Sequence, residues 1–166
     1  MATKRQAFFS FEYIKDNWRA SEVRKMGVVS KDSTFSDNDW EEVKEKSDKD
    51  IKKWIDNQMA MRSCIVVLIG STTSTRKWVK YEIEKAYELG KGIVGIYINK
   101  LKDKNDSQSP EGNSPFYNIY IDDGHRLSHY VTAFKSEYAS SKYVYNDIKD
   151  HISDLIENAI NDAGTY

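Results

Sequence analysis

"CIVVLIGSTTSTRKWVKYEIEKA", residues 64 to 86, decides how this chain is read. Its first six residues are continuously apolar and rich in β-branched side chains, the pattern of a strand buried on both faces of a parallel sheet. "GSTTST" (70–75) interrupts the run with small and hydroxyl-bearing residues. Beyond it Val79, Ile83 and Ala86 recur at helical spacing and make an inward stripe. Trp78 and Glu82, four residues apart, share a face at the edge of that stripe near the helix start.

Working outward, "AFFSFEY" (7–13) and "GIVGIYIN" (92–99) are also nearly all apolar, and are expected to flank the central strand as parallel neighbours in one sheet. Helical patterns lie between and after these runs. In "DKDIKKWIDNQMAM" (48–61), Ile51, Trp54, Ile55 and Met59 form a stripe, with Ser47 and Asp48 available as caps. Near the C-terminus Ile148, Ile152, Leu155, Ile156, Ala159 and Ile160 form another, with Gly164 where helices commonly stop. Alternating strands and helices predict an α/β domain with a parallel sheet. One domain is expected over 1–166, with its core at about 7–160.

Three stretches fit the alternation less simply. Residues 27–46 combine a short predicted strand at Val28 and Val29 with a polar loop holding Phe35 and Trp40, aromatics that either fill a core or touch a ligand. Residues 101–115 hold both prolines and almost nothing apolar, which predicts a mobile surface loop or insertion. "FYNIYIDDG" (116–124) alternates like a further strand ending in a turn at Asp123 and Gly124.

Composition narrows the function classes. The 166 residues carry 25 Lys and Arg against 26 Asp and Glu, a formal charge of -1, so no global field attracts a nucleic-acid backbone. The start "MATKRQAFFSF" lacks the apolar stretch of a signal peptide, and no run approaches the roughly 20 apolar residues that span a bilayer. A soluble, cytoplasmic protein without a membrane partner is expected. Cys64, the single cysteine, reads as a small buried hydrophobe and not as a nucleophile. His125, His129 and His151 are too scattered for a zinc or iron site, so no metal is expected.

In an open parallel sheet the ligand crevice lies beyond the C-terminal ends of the strands. That rule points to "SFEY" (10–13) and "GSTTSTRKW" (70–78). Gly70, the hydroxyls and the N–H groups of the following helix suit a phosphate or ribose, although Ser and Thr before a helix most often cap it. Glu82 is either a carboxylate aimed into the crevice or a helix-surface glutamate paired with Lys85 or Arg76.

The set formed by "AFFSFEY", a polar loop, "CIVVLIGSTTSTRKWVKYEIEKA" and a closing amphipathic helix resembles a TIR domain, specifically the bacterial TIR-like group of Thoeris antiphage defence. The resemblance runs to about residue 160. Its most specific piece is the small hydroxyl loop, then Trp78, then Glu82; the first strand departs from the usual family pattern. It implies a flavodoxin-like, three-layer fold with a mainly parallel sheet of about five strands. It also implies an enzyme, an NAD glycohydrolase and cyclase of the ADP-ribosyl cyclase type. Glu82 would be its catalytic residue and NAD its substrate, with no cofactor. A phage-derived trigger would start synthesis of a cyclic ADP-ribose isomer, which activates a separate effector protein, and self-association would complete the site. Phe9, Phe11, Tyr13, Trp40 and Trp78 are candidates to stack on nicotinamide or adenine, and Ser10 and Ser71 are candidate polar contacts. The alternative is a non-enzymatic TIR interaction module, since fold alone does not imply chemistry. A phosphoacceptor receiver would need an Asp where the central strand ends in Ile69 and Gly70.

Overall fold

A computed structural model of the chain describes residues 6–26, 45–121 and 124–165. The expectations placed on Val28, Val29, Phe35, Trp40 and Asp123 lie outside the described residues. Four strands make one sheet: β1 (Ala7–Ser10), β2 (Cys64–Ile69), β3 (Gly92–Tyr97) and β4 (Ala133–Phe134), in the order β1-β2-β3-β4. Every pairing is parallel, with Ala7 opposite Cys64, Cys64 opposite Gly92 and Gly95 opposite Ala133. Among the described residues four α-helices accompany it: α1 (Tyr13–Arg24), α2 (Asp48–Ala60), α3 (Lys77–Glu88) and α4 (Ser141–Asp162).

The apolar strands are buried on both faces because helices cover both. Phe9, Val66, Leu68, Val94 and Ile96 pack with Ala20 and Val23 of α1 and with Ile148, Ile152 and Ile156 of α4. On the opposite face Phe8, Ile65, Val67, Ile69 and Ile93 meet Val79, Ile83 and Ala86 of α3, the stripe expected from sequence. Three layers result, the flavodoxin-like arrangement. Ser47 caps α2 by accepting from Asp50 N at 3.3 Å, and Ser140 caps α4 by accepting from Tyr143 N at 3.4 Å. Gly90 follows α3 with φ of 70°, a left-handed conformation that glycine adopts without steric cost.

The structure departs from the sequence-based expectation in three places. The first strand stops at Ser10, and Tyr13 opens a helix that hydrophobic spacing did not suggest. The buried face of α1 mixes Ala20 and Val23 with Asp16 and Arg19, so half of its inward residues are charged and the apolar period is hidden. "FYNIYIDDG" is not a strand: residues 115–118 form turns, Phe116 and Ile119 enter the core, and the pairing there is an isolated antiparallel bridge between Tyr120 and Arg126. The sheet therefore holds four strands among the described residues, against about five expected. Its edge is the two-residue β4, too short to carry an alternating pattern.

Cys64 is fully buried, and burial pushes its thiol up to about 12, which fits a structural side chain. Among the described residues no helix is long and apolar enough to cross a membrane, and no group of His, Cys, Asp and Glu could hold a metal ion.

Candidate active site

Beyond the C-terminal ends of β1 and β2 opens a cleft of about 390 Å³. Phe9, Phe11, Glu12, Tyr13 and Ile14 line it from β1 and the start of α1; Arg76, Lys77, Trp78, Val79 and Glu82 line it from α3 and the residue before it. The cleft forms because β1 and β2 are parallel neighbours, so the chain leaving each emerges on the same edge of the sheet.

Glu82 forms part of the cleft floor. It is only 6% exposed, and its Oε2 has no hydrogen-bond partner. Burial raises its carboxyl to about 8, and the neighbouring Ser10 hydroxyl opposes that rise. Ser10 itself is 1% exposed. The cations that a surface glutamate would have used are engaged elsewhere. Lys85 lies 3.5 Å from Glu88 and 3.9 Å from Asp56, and Arg76 lies 3.9 Å from Glu12. The helix-surface reading of Glu82 therefore gives way to a buried acid facing a cavity.

Aromatic side chains wall the cleft. Phe11 and Tyr13 stack with ring centroids 6.3 Å apart. Trp78 serves two surroundings: it packs against Ile51 and Ile55, meets Tyr81 edge-to-face at 5.9 Å, and also lines the cleft. Of the residues singled out from sequence, Phe9, Phe11, Tyr13, Trp78 and Glu82 are brought together here, with Ser10 buried beside Glu82. Ser71 is not among the lining residues, and Trp40 lies outside the described residues.

The hydroxyl loop is largely occupied with its own structure. Thr73 Oγ1 accepts from Gly70 N at 2.7 Å, and Thr75 Oγ1 donates to Thr72 O at 2.7 Å. Thr72 Oγ1 donates to Glu12 Oε2 and accepts from Lys15 Nζ at 3.1 Å. These bonds join the loop to α1 and none of them caps α3, so "GSTTST" acts neither as the helix cap nor as an open phosphate cradle. The 101–115 stretch closes over the loop's other side. A Cβ on Gly112 would lie 2.2 Å from the carbonyl oxygen of Gly70, a backbone approach that only glycine permits.

Sequence reasoning passed over Glu12, Ile14, Arg76 and Lys77. A signal for two of them was present: Arg76 and Lys77 place positive charge at a helix N-terminus, against the helix dipole, with no acid in the first turn to compensate.

A parallel three-layer α/β domain with a buried glutamate on the helix after its central strand, facing an aromatic cleft, is a TIR-like domain. Residues 8–103 match the family model described as "Thoeris protein ThsB, TIR-like domain". The chain is also 38% identical over 135 residues to a Bacillus cereus (strain MSX-D12) protein named "Putative cyclic ADP-D-ribose synthase ThsB1", a match covering 76% of this chain and 70% of that protein. The chain belongs to the Thoeris ThsB TIR-like family.

Proposed function

We propose that this protein is an antiphage TIR enzyme that cleaves the nicotinamide–ribose bond of NAD and closes the remaining ADP-ribosyl group into a cyclic ADP-ribose isomer. The observation that carries the proposal is the Glu82 carboxyl, buried in the lining of an aromatic cleft with its Oε2 unpaired. A buried acid without a partner is costly to fold, and such groups concentrate at functional sites. The name of the Bacillus cereus relative supports cyclisation as the outcome.

The chemistry follows from charge. The nicotinamide ring of NAD is cationic and departs as a neutral molecule, so no strong general acid is required. As the bond breaks, positive charge develops at the ribose carbon, and an ionised Glu82 beside it stabilises the oxocarbenium-like transition state. With its carboxyl raised to about 8, Glu82 is mostly protonated in the free protein at neutral pH. A cationic substrate favours the carboxylate, so binding expels that proton. Phe9, Phe11, Tyr13 and Trp78 supply flat apolar surfaces that stack on the rings and keep water from the reactive carbon, which cyclisation requires. NAD is the substrate and no cofactor enters. The same reading includes a cytoplasmic location, self-association, a phage-derived trigger, and a separate effector that responds to the cyclic product.

The test is Glu82→Gln assayed for nicotinamide release from NAD, with lysate of phage-infected cells as activator. A rate lower by about 10²–10³ is expected, the size seen when one transition-state electrostatic contact is removed. Turnover equal to the parent's rules out Glu82 as the reacting group.

A further inference from the structure

We propose that Arg76 is the diphosphate-binding group of this cleft, assisted by Lys77, and that the Glu12 carboxylate holds the Arg76 guanidinium until a substrate diphosphate replaces it. The assignment rests on the cleft being the NAD site, and it adds the anion subsite that fixes which way the dinucleotide lies.

Four observations lead there. Among the described residues lining the cleft, Arg76 and Lys77 are the only cations. Both sit at the N-terminal end of α3, where free N–H groups and the dipole already favour an anion, and where neither a side-chain cap nor a first-turn acid supplies one. In the same cleft the buried Oε2 of Glu82 awaits a partner. The geometry also matches the substrate's connectivity. Arg76 precedes Glu82 by six residues, about 9 Å along the helix axis at 1.5 Å per residue. In a nicotinamide dinucleotide a single ribose separates the glycosidic carbon from the diphosphate. With that carbon at the buried Glu82, the diphosphate falls toward the cleft mouth, where the Arg76 side chain is 52% exposed.

The present partner of Arg76 shows what the guanidinium is placed to hold. Glu12 Oε1, itself part of a planar oxyanion, stands 3.9 Å from Arg76 Nη1, beyond hydrogen-bond length. The other carboxylate oxygen accepts from Thr72 Oγ1, so Glu12 keeps a partner when Arg76 turns away. Lys77 is more committed, since its Nζ bonds Asp48 and lies 4.7 Å over the Trp78 ring. Arg76 is therefore the group free to exchange a loose carboxylate for a bidentate phosphate contact.

The test uses two probes that divide the substrate: ADP-ribose, which carries the diphosphate, and nicotinamide riboside, which has no phosphate. Calorimetric titration of each into the full-length parent, Arg76→Gln, Arg76→Lys and Glu12→Gln reads the subsite without needing turnover, and thermal melts confirm that each variant is folded. Arg76→Gln is expected to weaken ADP-ribose by about tenfold or more, the loss of one charge-assisted contact, and to flatten its salt dependence. Nicotinamide riboside should bind that variant as it binds the parent. Arg76→Lys should recover part of the affinity, and Glu12→Gln should bind ADP-ribose at least as tightly as the parent. Equal ADP-ribose affinity in parent and Arg76→Gln overturns the assignment of Arg76 alone, as does an equal loss for both probes. A parent that binds neither probe overturns the reading of the cleft as an NAD site, and this subsite with it.

Discussion

The carboxylate of Asp16 rests on the α-carbon of Gly70: a Cβ built on that glycine would lie 2.0 Å from Asp16 Oδ2. Asp16 cannot swing away freely, because it is 1% exposed and its Oδ1 accepts from Arg19 Nη1 at 2.9 Å. This contact limits how closely α1 approaches the end of β2. Gly70→Ala is expected to lower stability by about 1–3 kcal/mol, the usual cost of forcing an atom into a packed interior. Urea unfolding of the two proteins measures it, and an unchanged midpoint contradicts the contact.

Arg19 binds α1 to a distant part of the chain. Its Nε donates to Leu101 O at 2.7 Å and its Nη2 to Ser107 O at 2.8 Å, while Nη1 serves Asp16. Arg19→Met would leave a buried carboxylate uncompensated, which costs about 3–5 kcal/mol. Burial already pushes the Asp16 carboxyl up, and Arg19 opposes that push. The double variant Arg19→Met, Asp16→Asn should therefore regain part of the loss. Chemical denaturation of both variants decides it: a double variant no more stable than the single one would show that the lost backbone contacts, and not the stranded charge, dominate.

Glu82 makes stability depend on pH in a predictable direction. Its folded value, about 8, lies above the ordinary 4.5. The contribution of its neutral form to stability is thus fully present below about pH 4.5 and is lost as pH rises through 8. Glu82→Gln lacks this titration. The melting temperature of the variant should exceed the parent's at pH 8–9, by an amount on the order of a few kcal/mol in free energy, with the gap closing toward pH 4. Parallel melting curves across that range would mean that Glu82 is not buried as a neutral acid.

Activity should run the opposite way with pH. In the proposed mechanism bond cleavage uses the Glu82 carboxylate, which is the minority form in the free protein below about pH 8. The value of kcat/KM for NAD should rise from pH 6 and level off above 8, following the free protein's essential acid group. Nicotinamide release measured over pH 6–9 checks this, and a flat profile excludes an essential group titrating near 8.

Several elements were legible because their cause is local. β2 and β3 announce themselves by unbroken apolar runs, and α3 by the spacing of Val79, Ile83 and Ala86. A four-residue interval put Trp78 and Glu82 on one helix face, and the resemblance to TIR domains made Glu82 the catalytic candidate. α1 escaped notice because two of its buried residues are Asp16 and Arg19. A buried arginine is sensible only once the carbonyls of Leu101 and Ser107 arrive to receive it. The strand expected at 116–124 failed for a related reason: Phe116 and Ile119 are apolar because a turn inserts them into the core, and alternation over so few residues cannot separate the two causes.

The amino-acid sequence by itself determined the parallel α/β architecture, the helix that carries Glu82 and the kinship with TIR domains, since each depends on residues close together along the chain. Tertiary structure alone decided what Glu82 is. The same interval from Trp78 serves a solvated glutamate and a buried one, and the difference lies in what comes to stand over it. Ser10 reaches it from β1, some seventy residues earlier in the chain, and Phe9 and Phe11 of the same stretch line the cleft with it. Desolvation is the sum of contacts made across such distances, so the raised carboxyl, the cleft around it and the pairing of Arg76 with Glu12 exist only after the chain has folded.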